Sequence, residues 1–289
     1  MVRIKIQKDS LAIKGIHDMT LNAFLASYHL GKALRYQLIN ERISVNKEKV
    51  HHDHLLQRHD ELRVDLAYEV DFEPSGQLPE VVYEDDLVLI VKKRAGQIVH
   101  DDQNMDALAN DVASYYLAND LHRHVRYIHR LDKQTQGLVF FSKLDFFGGY
   151  YNEQLLNKQI KREYLAIVKG KFKDQIVEKP LAKDRHVNNK YRVSAQGKYA
   201  KTKFTCLQYH NGYSLLHCEL FTGRTHQIRV HLSSIGFAIV NDEIYGQPDP
   251  NFKYMGLYAY KLSFKDLIND RTISVSDDRY EDLDHFKML

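Results

Sequence analysis

The longest uninterrupted apolar run in the chain, Leu87–Val91, is only five residues long. A helix crossing a bilayer needs about 20 apolar residues in a row, so no segment is expected to span a membrane. A run this short suits a buried strand. Comparable strand-like segments recur at Leu138–Phe141 behind Gly137, Tyr164–Val168, Leu257–Phe264 and Arg271–Val275. They outnumber the helical stretches and do not alternate regularly with them. That pattern predicts an α+β fold with a mixed, mainly antiparallel sheet rather than a doubly wound parallel one. With 289 residues the chain has room for one large domain or two unequal ones.

The spacing divides the chain near residue 75. Met1–Lys8 alternates apolar and basic residues, which reads as a strand and not as a signal peptide. A strand region over 1–16 precedes a compact unit from Thr20 to about Leu66. In that unit Leu21, Phe24, Leu25 and Tyr28 fall at helical spacing, as do Leu34, Leu38 and Ile39. Ile43–Val45 and Leu62–Leu66 alternate as strands. The stretch 72–79 holds two prolines and a glycine and is the expected linker. The expected domains are therefore 1–75 and 76–289. In the larger one, a hairpin turns at Glu84–Asp86. Asp106 is placed to cap a helix bearing Leu108, Val112, Tyr116 and Leu117. Further helices are expected over Asp145–Leu156 and Thr225–Ile235.

The two cysteines cannot form a disulfide scaffold. Residues 203–209 and 213–220 read as a hairpin about Asn211-Gly212. Pairing Tyr209 with Ser214 sets Cys206 opposite His217 and puts Cys206 and Cys218 on opposite faces. Two buried free thiols are expected, and with them a cytoplasmic home. The net charge is only +3, but it is unevenly spread. Lys179–Lys203 holds eight Lys or Arg and one acid, the density of a polyanion track. Asp266–Asp284 holds seven acids and two Arg, and is expected to be a solvated surface.

Two segments are polar where a core would be apolar. One is His129-Arg-Leu-Asp132-Lys-Gln-Thr135-Gln-Gly137-Leu138; the other is Gly223-Arg-Thr-His226-Gln-Ile-Arg229-Val-His231-Leu232. A carboxylate facing an arginine stays ionised, and an ionised, partly desolvated carboxylate is a usable nucleophile. A buried salt bridge tying two elements together would use the same residues, so the pair alone leaves both readings open.

These two segments resemble the H-R-L-D-x-x-T-x-G-L and G-R-T-H-Q-I-R-V-H-L signatures of the RluA-type pseudouridine synthases. The second continues to Asp242-x-x-Tyr245-Gly246. Weaker matches lie in the family's order at Val82–Gly96, Lys161–Gly170 and Gly197–Phe204, so the resemblance covers about residues 80–264. Residues 20–66 resemble the small alpha-L RNA-binding domain of a ribosomal protein, through Leu21–Leu25, Ile39–Asn46 and Asp60–Val64. Within that unit, His51-His52-Asp53-His54 with His59 lacks metal-site spacing and reads as a solvated loop.

The resemblance implies an enzyme that isomerises uridine in structured RNA. The uracil is cut from ribose at nitrogen, rotated and rejoined through carbon, with no cofactor and no metal. It implies that Asp132 is the catalytic aspartate, Arg229 its partner, and Tyr164 the residue stacked on the base. It places Arg130, Leu131, Ile228, His129, Thr135, Arg224 and His226 around the substrate. His129, His226 and His231 are expected to be hydrogen-bonded structural histidines. The basic stretch, with Arg123 and Arg126, would grip phosphates. The expected partner is RNA, ribosomal before transfer RNA, and the expected form is a monomer. A non-catalytic RNA-binding or ribosome-assembly factor is the competing reading. Lys92-Lys-Arg94-Ala-Gly96 departs from the family's Asn-Lys-Pro-x-Gly, Asn241-Asp242 from Gly-Asp, Gln136 from Ser, and Tyr258 from His.

Overall fold

The computed structural model describes residues 2–8, 10–101 and 105–288. Met1 and Asp9 of the expected strand region, and Leu289 at the end of the expected larger domain, lie outside the described residues.

Two large sheets carry the chain, and among the described residues two further pairs of short strands stand apart from them. The first has five strands in the order Arg3–Gln7, Ser10–Lys14, Glu61–Asp65, Ile43–Val45, Glu48–Lys49, all antiparallel. Helices Leu21–Ser27 and Lys32–Gln37 cover it, and a π-helical turn over Leu38–Arg42 leads into the fourth strand of that order. Thr20 caps the first helix through its hydroxyl, which accepts from the Ala23 N–H.

The second sheet has ten strands. Its main path runs Gln175–Glu178, Lys201–His210, Tyr213–Leu220, Lys161–Lys169, Leu257–Lys265, Gln136–Ser142, Val88–Lys93, Glu80–Glu84. Arg126–Tyr127 pairs with Gln136–Ser142, and Thr272–Ser276 with Leu257–Lys265. One pairing is parallel, between Gln136–Ser142 and Leu257–Lys265. The fold is thus α+β with a mixed, mainly antiparallel sheet, as the patterning predicts. The apolar run earns its length here: Val88 and Ile90 pack into one core, Leu89 and Val91 into another, all with no exposed surface. A strand buried on both faces needs a continuous run rather than alternation. Each such side chain contributes roughly 1.5–3 kcal/mol.

The parallel pairing needs Gly137. Its φ is +122°, and a Cβ there would sit 2.3 Å from the Ala259 carbonyl oxygen. That close approach joins the strand following Asp132 to the strand beside Tyr164.

The two sheets share an apolar core. Tyr28 packs against Phe146 and Phe147, with ring centroids 5.2 and 5.8 Å away. The 72–79 stretch is fastened, with Ser75 donating to Asp111 at 2.6 Å and Gly76 N–H to Ser114 at 3.0 Å.

Several expectations are corrected. The hairpin turns at Asn211-Gly212 and pairs Tyr209 with Ser214, but Leu207 bulges out. The one-residue slip sets Cys206 opposite Leu216 and Phe204 opposite Cys218, so both thiols share one face. Both are free; Cys218 is buried and Cys206 only half-buried. The helix after Asp106 spans Leu108–Ala118, and its cap is Ala107, without a side-chain bond. The last internal helix is shorter than expected, Gln227–Ser233, because His226 is left-handed at φ 56° and breaks the turn before it. The acidic segment is not simply a solvated face. Asp266, Asp277 and Asp282 are buried, and Asp282 accepts from Lys253 N–H, Tyr254 N–H and the Tyr258 hydroxyl. Among the described residues no helix is long and apolar enough to cross a membrane.

Candidate active site

Both polar segments border one cavity of about 410 Å³, within the size range of small-molecule sites. Asp132 lies in the turn before the Gln136–Ser142 strand. Its backbone carbonyl accepts from Thr135 N–H at 3.1 Å, and the buried Thr135 closes the turn. The turn is pinned from below by Lys93. That fully buried ammonium donates to the carbonyls of Arg94, Gln97 and Lys133 at 2.8, 2.6 and 2.9 Å. Burial pushes Lys93 down to about 7, against the pull of Asp132.

Arg229 is the centre of charge. Its Nη1 donates to Asp132 Oδ2 at 3.0 Å. Its Nε and Nη2 form a fork on Asp242, at 2.7 and 2.8 Å. Asp242 has no exposed surface, and its Oδ1 also accepts from Ile244 and Tyr245 N–H. Burial works against the guanidinium, but the Asp242 bonds outweigh it and raise its pKa further. Asp132 keeps its side chain 27% exposed, so the pair faces the cavity on one side and the interior on the other.

The helix bearing Arg229 is tied to the sheet by Gln227. The Gln227 amide oxygen accepts from the Thr222 hydroxyl and Arg224 N–H; its nitrogen donates to Lys201 O and Thr202 Oγ1. Ile228 is 4% exposed and sits in the same apolar cluster as Tyr164 and, at its margin, Leu131. Tyr164 lies mid-strand, paired with Cys218 and Ala259. Burial raises its hydroxyl's pKa.

The histidines divide. His231 is structural as expected, bonded to Thr202 Oγ1 and Lys179 O at 2.9 and 3.0 Å. His226 Nδ1 meets the Tyr245 hydroxyl at 2.9 Å, while Nε2 is 3.7 Å from Asp132, beyond a direct bond. Burial holds its imidazole below the usual range. His129 departs from the expectation of hydrogen bonding: both ring nitrogens are buried, and among the described residues neither has a well-formed partner beyond a weak contact with the Arg130 backbone. Burial, helped by the Arg162 charge, pushes it down to about 3, so the ring is neutral.

Arg130 and Arg224 line the cavity and are exposed. Arg123 and Arg126 are not available to grip phosphates. Arg123 is buried against Lys8 O, and Arg126 is paired with Asp71 and Asp145. The basic stretch forms a small hairpin, Leu181–Lys183 with Tyr191–Val193. It stands beside the site: Tyr191 contacts His226, and Lys190 lies over Tyr245. His51 bonds Asn40 O and Asp53 caps Asn22 N–H; no cluster of three metal-ligating side chains occurs among the described residues.

The sequence places Asp242 and Tyr245 in the second signature but gives neither a role, and it gives none to Lys93 or Arg162. All four stand inside the matched segments, but only their contacts give them a place. Tyr258, where the family often has His, is fully buried and bonded to Asp282.

Residues 87–234 match the family model described as RNA pseudouridylate synthase. The uncharacterized RNA pseudouridine synthase YhcT of Bacillus subtilis (strain 168) is 34% identical over 245 residues, 81% of this chain and 80% of that one. The ribosomal large subunit pseudouridine synthase D of Nitrosomonas europaea is 37% identical over 177 residues, 60% of this chain and 52% of the relative. Among solved structures, human RNA pseudouridylate synthase domain containing 4 superposes with a TM-score of 0.61, covering 72% of this chain and 92% of its own at 18% identity, a likeness of fold.

Proposed function

The chain belongs to the RNA pseudouridylate synthase family, in its RluA-type branch, and from that premise we propose that it isomerises uridine in large-subunit ribosomal RNA with Asp132 as the nucleophile. The observation that carries the reading is a chain of ion pairs: Asp242 fixes Arg229, and Arg229 holds Asp132 at the mouth of the cavity. The ribosomal target is supported by relatives named as ribosomal large subunit synthases C and D.

The reaction conserves atoms. The bond from uracil N1 to ribose C1′ breaks, a bond from C5 to C1′ forms, the C5 proton leaves, and N1 ends protonated. Attack at the anomeric carbon, attack on the ring and a glycal route all begin from a positioned carboxylate. Arg229 supplies that position without competing for the substrate, since its remaining nitrogens are taken by Asp242. Tyr164 and Ile228 offer the flipped base an apolar wall, and Leu131 extends it. Tyr164, its hydroxyl kept protonated by burial, is the side chain for the base to stack on. Extruding a base costs a few kcal/mol, and the exposed Arg130 beside Asp132 is placed to fill the vacated stack. His129, Thr135, Arg224 and His226 complete the lining as supports.

Residues 1–75 serve in this reading as the RNA-binding unit and 76–289 as the catalytic one. Tyr36, 73% exposed beside Lys32 and Arg35, is the N-terminal unit's best stacking surface for an unpaired base. The test is incubation with unmodified transcripts of large-subunit ribosomal RNA and of transfer RNA, followed by chromatography of the nucleosides. Pseudouridine in the ribosomal transcript supports the proposal. Pseudouridine only in transfer RNA overturns the target, and pseudouridine in neither overturns the activity.

A further inference from the structure

Among the described residues Arg162 has no anionic partner. It lies two residues before Tyr164 on the Lys161–Lys169 strand and lines the same cavity. Among the described residues no carboxylate lies within ion-pair reach of it, and its Nε is buried with no hydrogen-bond partner. The two carboxylates of the site, Asp132 and Asp242, are both engaged by Arg229. The neighbouring His129, held neutral by burial, brings no counter-charge, and its two buried ring nitrogens have no well-formed partner beyond a weak contact with the Arg130 backbone. A half-buried cation with nothing to balance it is costly, and unsatisfied polar atoms gathered on one wall call for an explanation.

The backbone beside Arg162 makes room for it. A Cβ on Gly223 would sit 2.6 Å from Arg162 Nη2, so the guanidinium lies where a side chain at 223 would be. The Gly223 φ lies outside the left-handed region, so backbone conformation does not demand glycine there. Arg130 and Arg224 flank the same opening, also without a carboxylate partner among the described residues; Arg224 donates to Tyr199 O. Three guanidinium groups thus surround one mouth.

We propose that Arg162 binds a backbone phosphate of the RNA beside the extruded uridine, with Gly223 left bare to admit both. The guanidinium fork matches a phosphate's paired oxygens, and RNA supplies the anion that no described residue offers. The inference rests on the uridine reading above and adds the contact that seats the target nucleotide over Asp132.

The experiment measures binding and turnover separately. Binding to a large-subunit ribosomal RNA transcript is followed against salt in an Asp132→Ala background, so that no substrate is consumed. Turnover is measured with Asp132 intact. Arg162→Ala should raise KM about tenfold or more and lower the slope of log affinity against log salt by about 0.7, the loss of one phosphate contact. Arg162→Lys should keep the slope and recover only part of KM, because it retains the charge without the fork. Gly223→Ala, which displaces the guanidinium but removes no charge, should raise KM as Arg162→Ala does. An unchanged slope and KM with loss confined to kcat would overturn the proposal and leave Arg162 as a support for Tyr164. Absence of wild-type turnover would overturn the uridine reading instead, and the salt slope would still decide the phosphate contact.

Discussion

Asp242 holds the Arg229 guanidinium by two bonds, of 2.7 and 2.8 Å, and so leaves one terminal nitrogen directed at Asp132. The site's geometry is set by a carboxylate that never meets the cavity. Asp242 is fully buried, and its other acceptor capacity is spent on the N–H groups of Ile244 and Tyr245.

Asp242→Asn keeps the shape and removes the charge. The amide offers one acceptor where two were used, and leaves Arg229 buried with one anionic partner. We expect a stability loss of about 3 kcal/mol by urea unfolding and a fall in turnover of at least about tenfold. Turnover near wild type in a folded variant would show that Arg229 keeps its aim unaided.

Arg229→Lys tests the fork itself. A lysine is a point charge and cannot bridge two carboxylates in fixed directions. Single-turnover rates should fall roughly a hundredfold, with RNA affinity within about threefold of wild type. An equal loss in affinity would assign Arg229 to binding.

The contact that closes the Asp132 turn onto the sheet tolerates no side chain. Gly137→Ala places a methyl 2.3 Å from a backbone oxygen and at a φ of +122°. It should cost more than about 3 kcal/mol. Gly76→Ala, at φ +78° with nothing within 4 Å, should cost about 1 kcal/mol. Thermal melts of the two variants side by side check the contrast.

His129 makes stability depend on acid. Its folded pKa is about 3, against an ordinary 6.5, so the unfolded chain binds more protons between those values. Stability therefore falls as pH drops from 6.5 toward 3, by up to about 1.4 kcal/mol per pH unit from this group. His129→Gln should flatten the urea midpoint over that window. A variant with the wild-type acid slope would place the dependence elsewhere.

Much of the site was legible because its chemistry is contiguous. His129–Thr135 and Arg224–Arg229 each put several lining residues in one stretch, and the structure brings both to one cavity. The fold class was legible for a similar reason: short strands with their own turns declare themselves locally. Other features depend on distant closure. Asp242 reaches Arg229 across 13 residues, and Lys93 reaches the Lys133 carbonyl across 40. Neither bond has a local pattern. The thiol faces are not legible in the sequence because one bulged residue, Leu207, reverses the alternation of the strand. Arg123 and Arg126 look like phosphate ligands in the sequence because their carbonyl and carboxylate partners lie far along the chain.

The most direct test is release of tritium from RNA labelled at uracil C5, with wild type and Asp132→Asn run side by side on large-subunit ribosomal RNA. The substitution is nearly isosteric and leaves Arg229 anchored on Asp242. Wild type should release tritium and Asp132→Asn none above background, with RNA binding retained. Release by Asp132→Asn at a rate close to wild type would contradict the assignment of Asp132 as the nucleophile.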